Sequence, residues 1–255
     1  VAVFMDFSIS YTTDKKRLQS VIETAAHLGS STVAINYVVD LEQNKQARCP
    51  PDFVQGKSRP IKVLNRLTVV ASRAAHFKPL REYKAYDLVA AYPKTEKLFH
   101  AACMEFTIDI ICVAATEKQP FFFKRSSVNG AIERGVFFEV SYTPAIRDSM
   151  RRHTIANALN LMEACKGKVN RPNMPLELRG PYDIANLNPF LKHYLPSLLF
   201  GLSEEDGKAA ISPNCRAVHL HGEMRETALG IVHSVKNEQP VTGRQEKEDV
   251  PASEG

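Results

Sequence analysis

Short apolar runs alternate with amphipathic stretches along most of the chain. "AVFMDF" (2–7), "TVAINYVV" (32–39), "IKVLNRLTVVA" (61–71), "DLVAAYP" (87–93), "IDIICVA" (108–114) and "GVFFEVSY" (135–142) are apolar at successive positions and rich in β-branched or aromatic residues. That is the pattern of strands buried on both faces. The stretches between them follow a helical period. In "KKRLQSVIETAAHLG", Leu18, Val21, Ile22, Ala25 and Leu28 fall on one face. Asp14 is placed to accept from the free N–H groups of that helix, and Gly29 to end it. Thr95 can cap "EKLFHAACMEF", and Asp148 or Ser149 can open "MRRHTIANALNLMEAC", with Ile155, Leu159 and Met162 on one face. Ser203 and Asp206 form a capping-box-like pair ahead of "GKAAI". "RAVHL" (216–220) reads as a last short strand and "EMRETALGIV" (223–232) as a last helix. From Lys236 the chain is polar and aperiodic, which predicts disorder.

Strands alternating with helices, and apolar on both sides, predict an α/β protein with a mostly parallel sheet covered by helices. About seven strand–helix steps fit a TIM-barrel-like (β/α) barrel better than a short open sheet, with a doubly wound sheet as the alternative. The expected organisation is one barrel domain over 1–235 and a disordered polar tail over 236–255.

Composition narrows the class. The chain has 255 residues, 44% of them hydrophobic, enough for a sizeable core. Its net charge is +5, and because residues 236–255 hold three bases against five acids, the rest carries +7. Between Phe121 and Arg179 there are ten bases and five acids. Such a balance favours polyanionic partners. The five cysteines (Cys49, Cys103, Cys112, Cys165, Cys215) are scattered without a C-x-x-C pair, so neither a zinc knuckle nor a disulfide framework is indicated, and reduced thiols are expected. No apolar run approaches a membrane span, and "VAVFMDF" reads as a strand rather than a secretory signal.

Enzymatic chemistry finds little purchase. A dinucleotide or P-loop site needs glycines between the first strand and helix, and that turn, "SISYTT", has none. Neither G-x-x-x-x-G-K-[ST] nor G-x-S-x-G is present. A metal-dependent barrel hydrolase shows His-x-His at the end of its first strand. Here that strand ends in Met5-Asp6-Phe7, and the one His-x-His, His219-Leu220-His221, stands near the other end of the chain. Asp6 and Asp40 are single acids at strand ends, and Cys112 and Cys165 lie in apolar runs, as core thiols do.

Cations are what remain. Lys57, Arg59, Lys62 and Arg66 stand within ten positions with no acid among them. Lys124 and Arg125 follow "FFF", and Arg151 and Arg152 sit in a first helical turn, where they oppose the helix dipole unless an anion is bound. Arg179 adds another. On a barrel several of these would line loops on one rim. The aromatic triplet Phe121–Phe123 reads either as a cover for the end of the barrel or a protein interface, or as a base-stacking surface.

Seven strings carry a family resemblance: "VQGKSRPIKVLNRLT" (54–68), "YPKTEKLFHAAC" (92–103), "TEKQPFFFKR" (116–125), "AIERG" (131–135), "YTPAIRDSMRRHTIANALNLMEACKGK" (142–168), "LELRGPYDIANL" (176–187) and "LLFGLSEEDGKAAISPNCRAVHLHGE" (198–223). Together they resemble the thirty-kilodalton protein subunit of animal ribonuclease P and ribonuclease MRP, over nearly the whole chain except the tail. The resemblance implies a TIM-like barrel that is noncatalytic by itself. It implies a nuclear and nucleolar ribonucleoprotein that removes the 5′ leader of precursor tRNA or, as the MRP form, processes ribosomal RNA. It further implies a catalytic RNA subunit that carries the Mg²⁺ ions, a small RRM-like protein partner and other protein subunits. No cofactor is expected on this chain, and no membrane. The candidate RNA contacts are Lys57, Arg59, Lys62, Arg66, Lys124, Arg125, Arg151, Arg152 and Arg179.

The chain departs from the family pattern in a shorter loop over 40–54, in "VNRPNMPLEL" where an apolar strand is expected, and in the inserted "NPFLKHYLPS" (188–197). An irregular or open barrel around 165–200 is therefore expected. Two other readings stay open from the residues alone: a metal-dependent phosphoesterase of the PHP type on the same barrel, and a protein-interaction scaffold with an incidental basic rim.

Overall fold

The computed structural model describes residues 4–40, 59–73, 81–114, 116–141, 144, 151–165 and 200–237. Among them six strands, β1 (Phe4–Ser10), β2 (Ser30–Asp40), β3 (Lys62–Ala71), β4 (Leu88–Pro93), β5 (Ile110–Cys112) and β6 (Phe137–Glu139), form one sheet. Every neighbouring pair is parallel, and the spatial order is the sequence order. A doubly wound sheet reverses its order at a switch point. This one never does, and it curls into half a barrel. The stretch expected to be irregular or open lies, over 166–199, outside the described residues.

Among the described residues the longer helices are α1 (Lys15–His27), α2 (Glu96–Met104), α3 (Arg125–Glu133), α4 (Arg151–Cys165), α5 (Glu204–Ile211) and α6 (Pro213–Asn237). The caps fall where the sequence puts them. Asp14 accepts from the N–H groups of Lys16 and Arg17, Thr95 from Leu98 and Ser203 from Asp206. Gly29 leaves α1 at φ +101°, a conformation that a Cβ would strain.

Side chains alternate between the two faces of the sheet. On one face Val33 and Ile35 pack against Leu18, Ile22 and Ala25 of α1, and Leu67, Val69, Val89, Ile111 and Phe138 join α2 to α5 in the main core. On the other face Met5, Phe7, Ala34, Leu64, Leu88, Ala90, Ile110 and Phe137 meet Cys215 and Val218 of α6. Among the described residues, a single helix therefore covers the second face.

Three expectations need correcting. "RAVHL" is not a strand: it belongs to α6, whose buried stripe Cys215–Val218–Gly222–Arg225 steps by three and four residues. Leu220, needed for an alternating strand pattern, is 52% exposed. In α4 the buried residues are Thr154, Asn157, Ala158, Leu161, Ala164 and Cys165; Ile155 and Met162 pack on the core partly buried, and only Leu159 of that apolar set faces out. Asn157 lies on the buried face with its polar groups satisfied: its amide donates to Ala114 O and Glu117 O (both 2.8 Å) and accepts from Gln119 N (3.2 Å). Finally, α6 runs to Asn237, slightly into the segment read as disordered; residues 238–255 lie outside the described residues.

Candidate nucleic-acid interface

Of the nine candidate cations, the seven that fall within the described residues separate by position relative to the sheet. Arg59 and Lys62 lie at the N-terminal end of β3, and both are exposed. The Lys62 ammonium donates to Nε2 of His219 (2.8 Å) and is 3.8 Å from Glu223. Burial, then the neighbouring Lys62 charge, lowers the His219 pKa, with Glu223 and Asp87 opposing. His219 is accordingly neutral at neutral pH, with Nε2 as an acceptor. Lys57 and Arg179 lie outside the described residues.

Arg66 is a correction. It points into the second face of the sheet, is 0% exposed, and cannot meet a phosphate there. Its guanidinium grips Glu139 bidentately (2.6 and 2.7 Å) and donates to Phe7 O (2.8 Å) and Thr68 Oγ1 (3.2 Å). Thr68 in turn donates to Asn36 Oδ1 (2.6 Å), and the Cys112 sulfur lies 3.1 Å from the guanidinium. Burial works to lower the Arg66 pKa, but Glu139 and Cys112 outweigh it and hold the group above its ordinary value. Burial pushes the Cys112 thiol up to about 12, Arg66 opposing and Glu139 reinforcing. A protonated thiol beside a satisfied ion pair is packing, not a nucleophile.

A second group lies at the opposite end of the strands. Lys94 N–H bonds Ala71 O, where β3 finishes, and the Lys94 ammonium is 3.5 Å from Asp40. One turn on, Lys97 is exposed at the start of α2, and Lys124 reaches Glu96 at 2.7 Å. Arg125, which opens α3, is 3.6 Å from Glu163 and donates to its carbonyl (3.4 Å). Arg151 is half-buried and Arg152 exposed in the first turn of α4, the helix that Asn157 ties to the loop after β5. Among the described residues, Arg66 apart, the cations thus occupy two ends of the half-barrel, not one rim. β3 has 10 residues, which at roughly 3.3 Å each separates its ends by about 30 Å.

"FFF" divides in the same period-two manner. Phe121 and Phe123 pack on Phe99 (centroids 5.3 and 5.2 Å), while Phe122 is 85% exposed. Beside it is a surface hollow of about 340 Å³, lined also by Phe99, Lys97, His100, Lys124 and Ser127.

Other charged groups are structural. Arg134 donates to the carbonyls of Ala102 (3.3 Å), Cys103 (2.9 Å) and Phe106, closing the C-terminus of α2. At the N-terminal ends of β4 and β5, buried Asp109 accepts from Arg225 Nε (2.9 Å) and pairs with His221 Nδ1 (2.7 Å). Arg225 also donates to the carbonyls of Tyr86 and Asp87 (both 3.0 Å). His219 and His221, two positions apart on a helix, therefore address different partners, Lys62 and Asp109, instead of one ion. Among the described residues no group of three or more His, Cys, Asp or Glu is placed to hold a metal. The pairs Arg66–Glu139 and Asp109–Arg225 are not evident from sequence alone, although Arg66, Asp109 and Glu139 each stand in or beside an apolar strand, where a buried charge requires a partner.

The profile of the ribonuclease P subunit p30 family matches residues 3–227. The mouse "Ribonuclease P protein subunit p30" is 52% identical over 94% of this chain and 93% of its own length. A fission yeast (Schizosaccharomyces pombe) relative, "Probable ribonuclease P protein subunit 3", is 27% identical over 88% of this chain and 95% of its own. A chain in the cryo-EM structure of archaeal ribonuclease P with mature tRNA superposes at TM-score 0.60 and 11% identity, covering 98% of this chain and 100% of that one.

Proposed function

Because the chain belongs to the ribonuclease P subunit p30 family, we propose that it works as the noncatalytic, RNA-binding protein component of the particle that removes the 5′ leader of precursor tRNA. The observation that carries the reading is the 52% identity to the mouse subunit, sustained over nearly the full length of both chains. The exposed cations Arg59, Lys62, Lys97, Lys124 and Arg152, at both ends of the half-barrel, support RNA contact, since phosphate contacts from Lys and Arg position a protein on RNA without reading its sequence. In this reading the RNA subunit holds the Mg²⁺ ions and performs the chemistry, and this chain carries no cofactor. Its partners are that RNA, precursor tRNA within the particle, a small RRM-like subunit and further protein subunits. It also serves ribonuclease MRP in ribosomal RNA processing, in the nucleus and nucleolus.

The test is purification of the tagged chain from cells that express it. Leader-cleaving activity on precursor tRNA should copurify and vanish after nuclease treatment. The reading is overturned if the chain alone, with Mn²⁺ or Zn²⁺, hydrolyses phosphoesters in a way abolished by His219→Ala or His221→Ala. A chain that holds its protein partners after nuclease treatment but never crosslinks to RNA would instead be a scaffold.

A further inference from the structure

The hollow beside Phe122 is a surface for which the fold itself supplies no use. A phenylalanine 85% exposed gains nothing from burial. It is not on a loose loop. Phe121 and Phe123 on either side are seated on Phe99, and Asn157 holds the backbone of Glu117 and Gln119 just before it. With its two neighbours seated inward, the middle ring is left facing out. The surroundings are cationic: Lys97 and Lys124 line the hollow, and Lys118 is exposed nearby in sequence. The acid that lines it, Glu96, is paired with Lys124 across a solvent-exposed 2.7 Å contact, a contact that an entering phosphate can replace at little cost.

Resting on the ribonuclease P reading, we propose that this hollow seats one unpaired nucleotide of RNA, with its base stacked on Phe122 and its phosphates against Lys97 and Lys124. A paired base has no free face to offer, so the site discriminates single strands from duplex. Stacking on a ring tolerates any base, so sequence preference is weak. A protein partner is the competing occupant; the two lysines favour the polyanion.

The chain has no tryptophan, so Phe122→Trp places the only indole of the chain beside the hollow, where it can be excited apart from the tyrosines. The probes are a labelled twelve-residue oligouridylate and a twelve-base-pair RNA duplex, titrated against the full chain at several salt concentrations. F122W should bind the oligouridylate as the wild type does, with quenched emission. F122A should bind it about fivefold or more weakly, bind the duplex unchanged, and melt at the wild-type temperature because the ring is exposed. K97A/K124A should lower the slope of log K against log salt by about 0.7 for each phosphate the chain no longer neutralises. If F122A binds the oligouridylate like the wild type, and that binding is salt-dependent, the nucleotide seat is wrong while RNA binding by the chain stands. If F122A keeps its RNA affinity but releases copurifying protein subunits, the hollow is a protein contact and the proposal falls. A wild-type chain that binds neither probe at low salt overturns the RNA-binding reading along with it.

Discussion

Arg66 belongs to a cluster of cations by sequence and to the core by structure, and the period of the strand explains why. On a parallel strand, Lys62, Leu64, Arg66 and Thr68 share one side, so the charge that is solvated at the strand end is interior a few residues later. Arg66 is fully buried against Glu139 at 2.6 Å. Removing one member of such a pair strands the other, at about 3–5 kcal/mol, whereas replacing both with apolar residues of similar volume is often neutral. R66A should therefore lower the urea midpoint sharply, and R66M/E139L should recover most of it without weakening RNA binding. A loss of RNA affinity in the double variant would return Arg66 to the interface. His219 makes a second prediction at this scale. Its folded pKa lies below the ordinary 6.5, so the unfolded chain takes up the proton first as pH falls. Stability should be unaffected above neutrality and decline as pH drops below about 6.5. Melting temperatures at pH 7.5 and 5.5 should show that decline reduced in H219Q; an equal decline would assign it to other groups.

At the scale of elements, the six strands were legible because buried parallel strands are continuous apolar runs, and the caps because Asp14, Thr95 and Ser203 are residues whose side chains accept from free N–H groups. The last helix was not legible at its start. Its inward stripe holds a cysteine, a valine, a glycine and an arginine, and only the first two register as apolar. Helix α3 is obscured for a like reason: "RSSVNGAIE" is polar and carries a glycine, so its propensity is poor. Gly222 shows what α6 requires. A Cβ there would stand 2.5 Å from Asp87 O and 3.0 Å from Leu88 Cδ2, and the first of these is backbone that cannot swing away. In an exposed helix Gly→Ala gains about 1 kcal/mol. Here G222A should instead cost about 1–3 kcal/mol, the range for overpacking a fitted contact. Calorimetry checks the sign: a raised melting temperature would mean that α6 sits farther from β4 than this packing has it.

Across the whole molecule, the sequence carries the basic balance but not its distribution, because residues distant in the chain share an end of the sheet. Lys62 belongs with His219 and Glu223 at one end; Lys124 belongs with Glu96 and Lys97 at the other. With about 30 Å between the ends of β3, a loss at one end cannot be repaired by a cation at the other. Substitutions at such separated sites add to within about 0.3–0.5 kcal/mol. If one RNA spans both ends, R59A/K62A and K97A/K124A should each weaken binding of the ribonuclease P RNA and lower its salt slope, by about 0.7–0.9 for each phosphate left without its cation. The fourfold variant should then equal the sum of the two in log K. Anisotropy titrations of labelled RNA over a range of salt measure all four corners of that cycle. An effect from only one pair would confine RNA to one end and leave the other for protein partners. A strongly non-additive cycle would mean that the two ends compete for a single stretch of backbone.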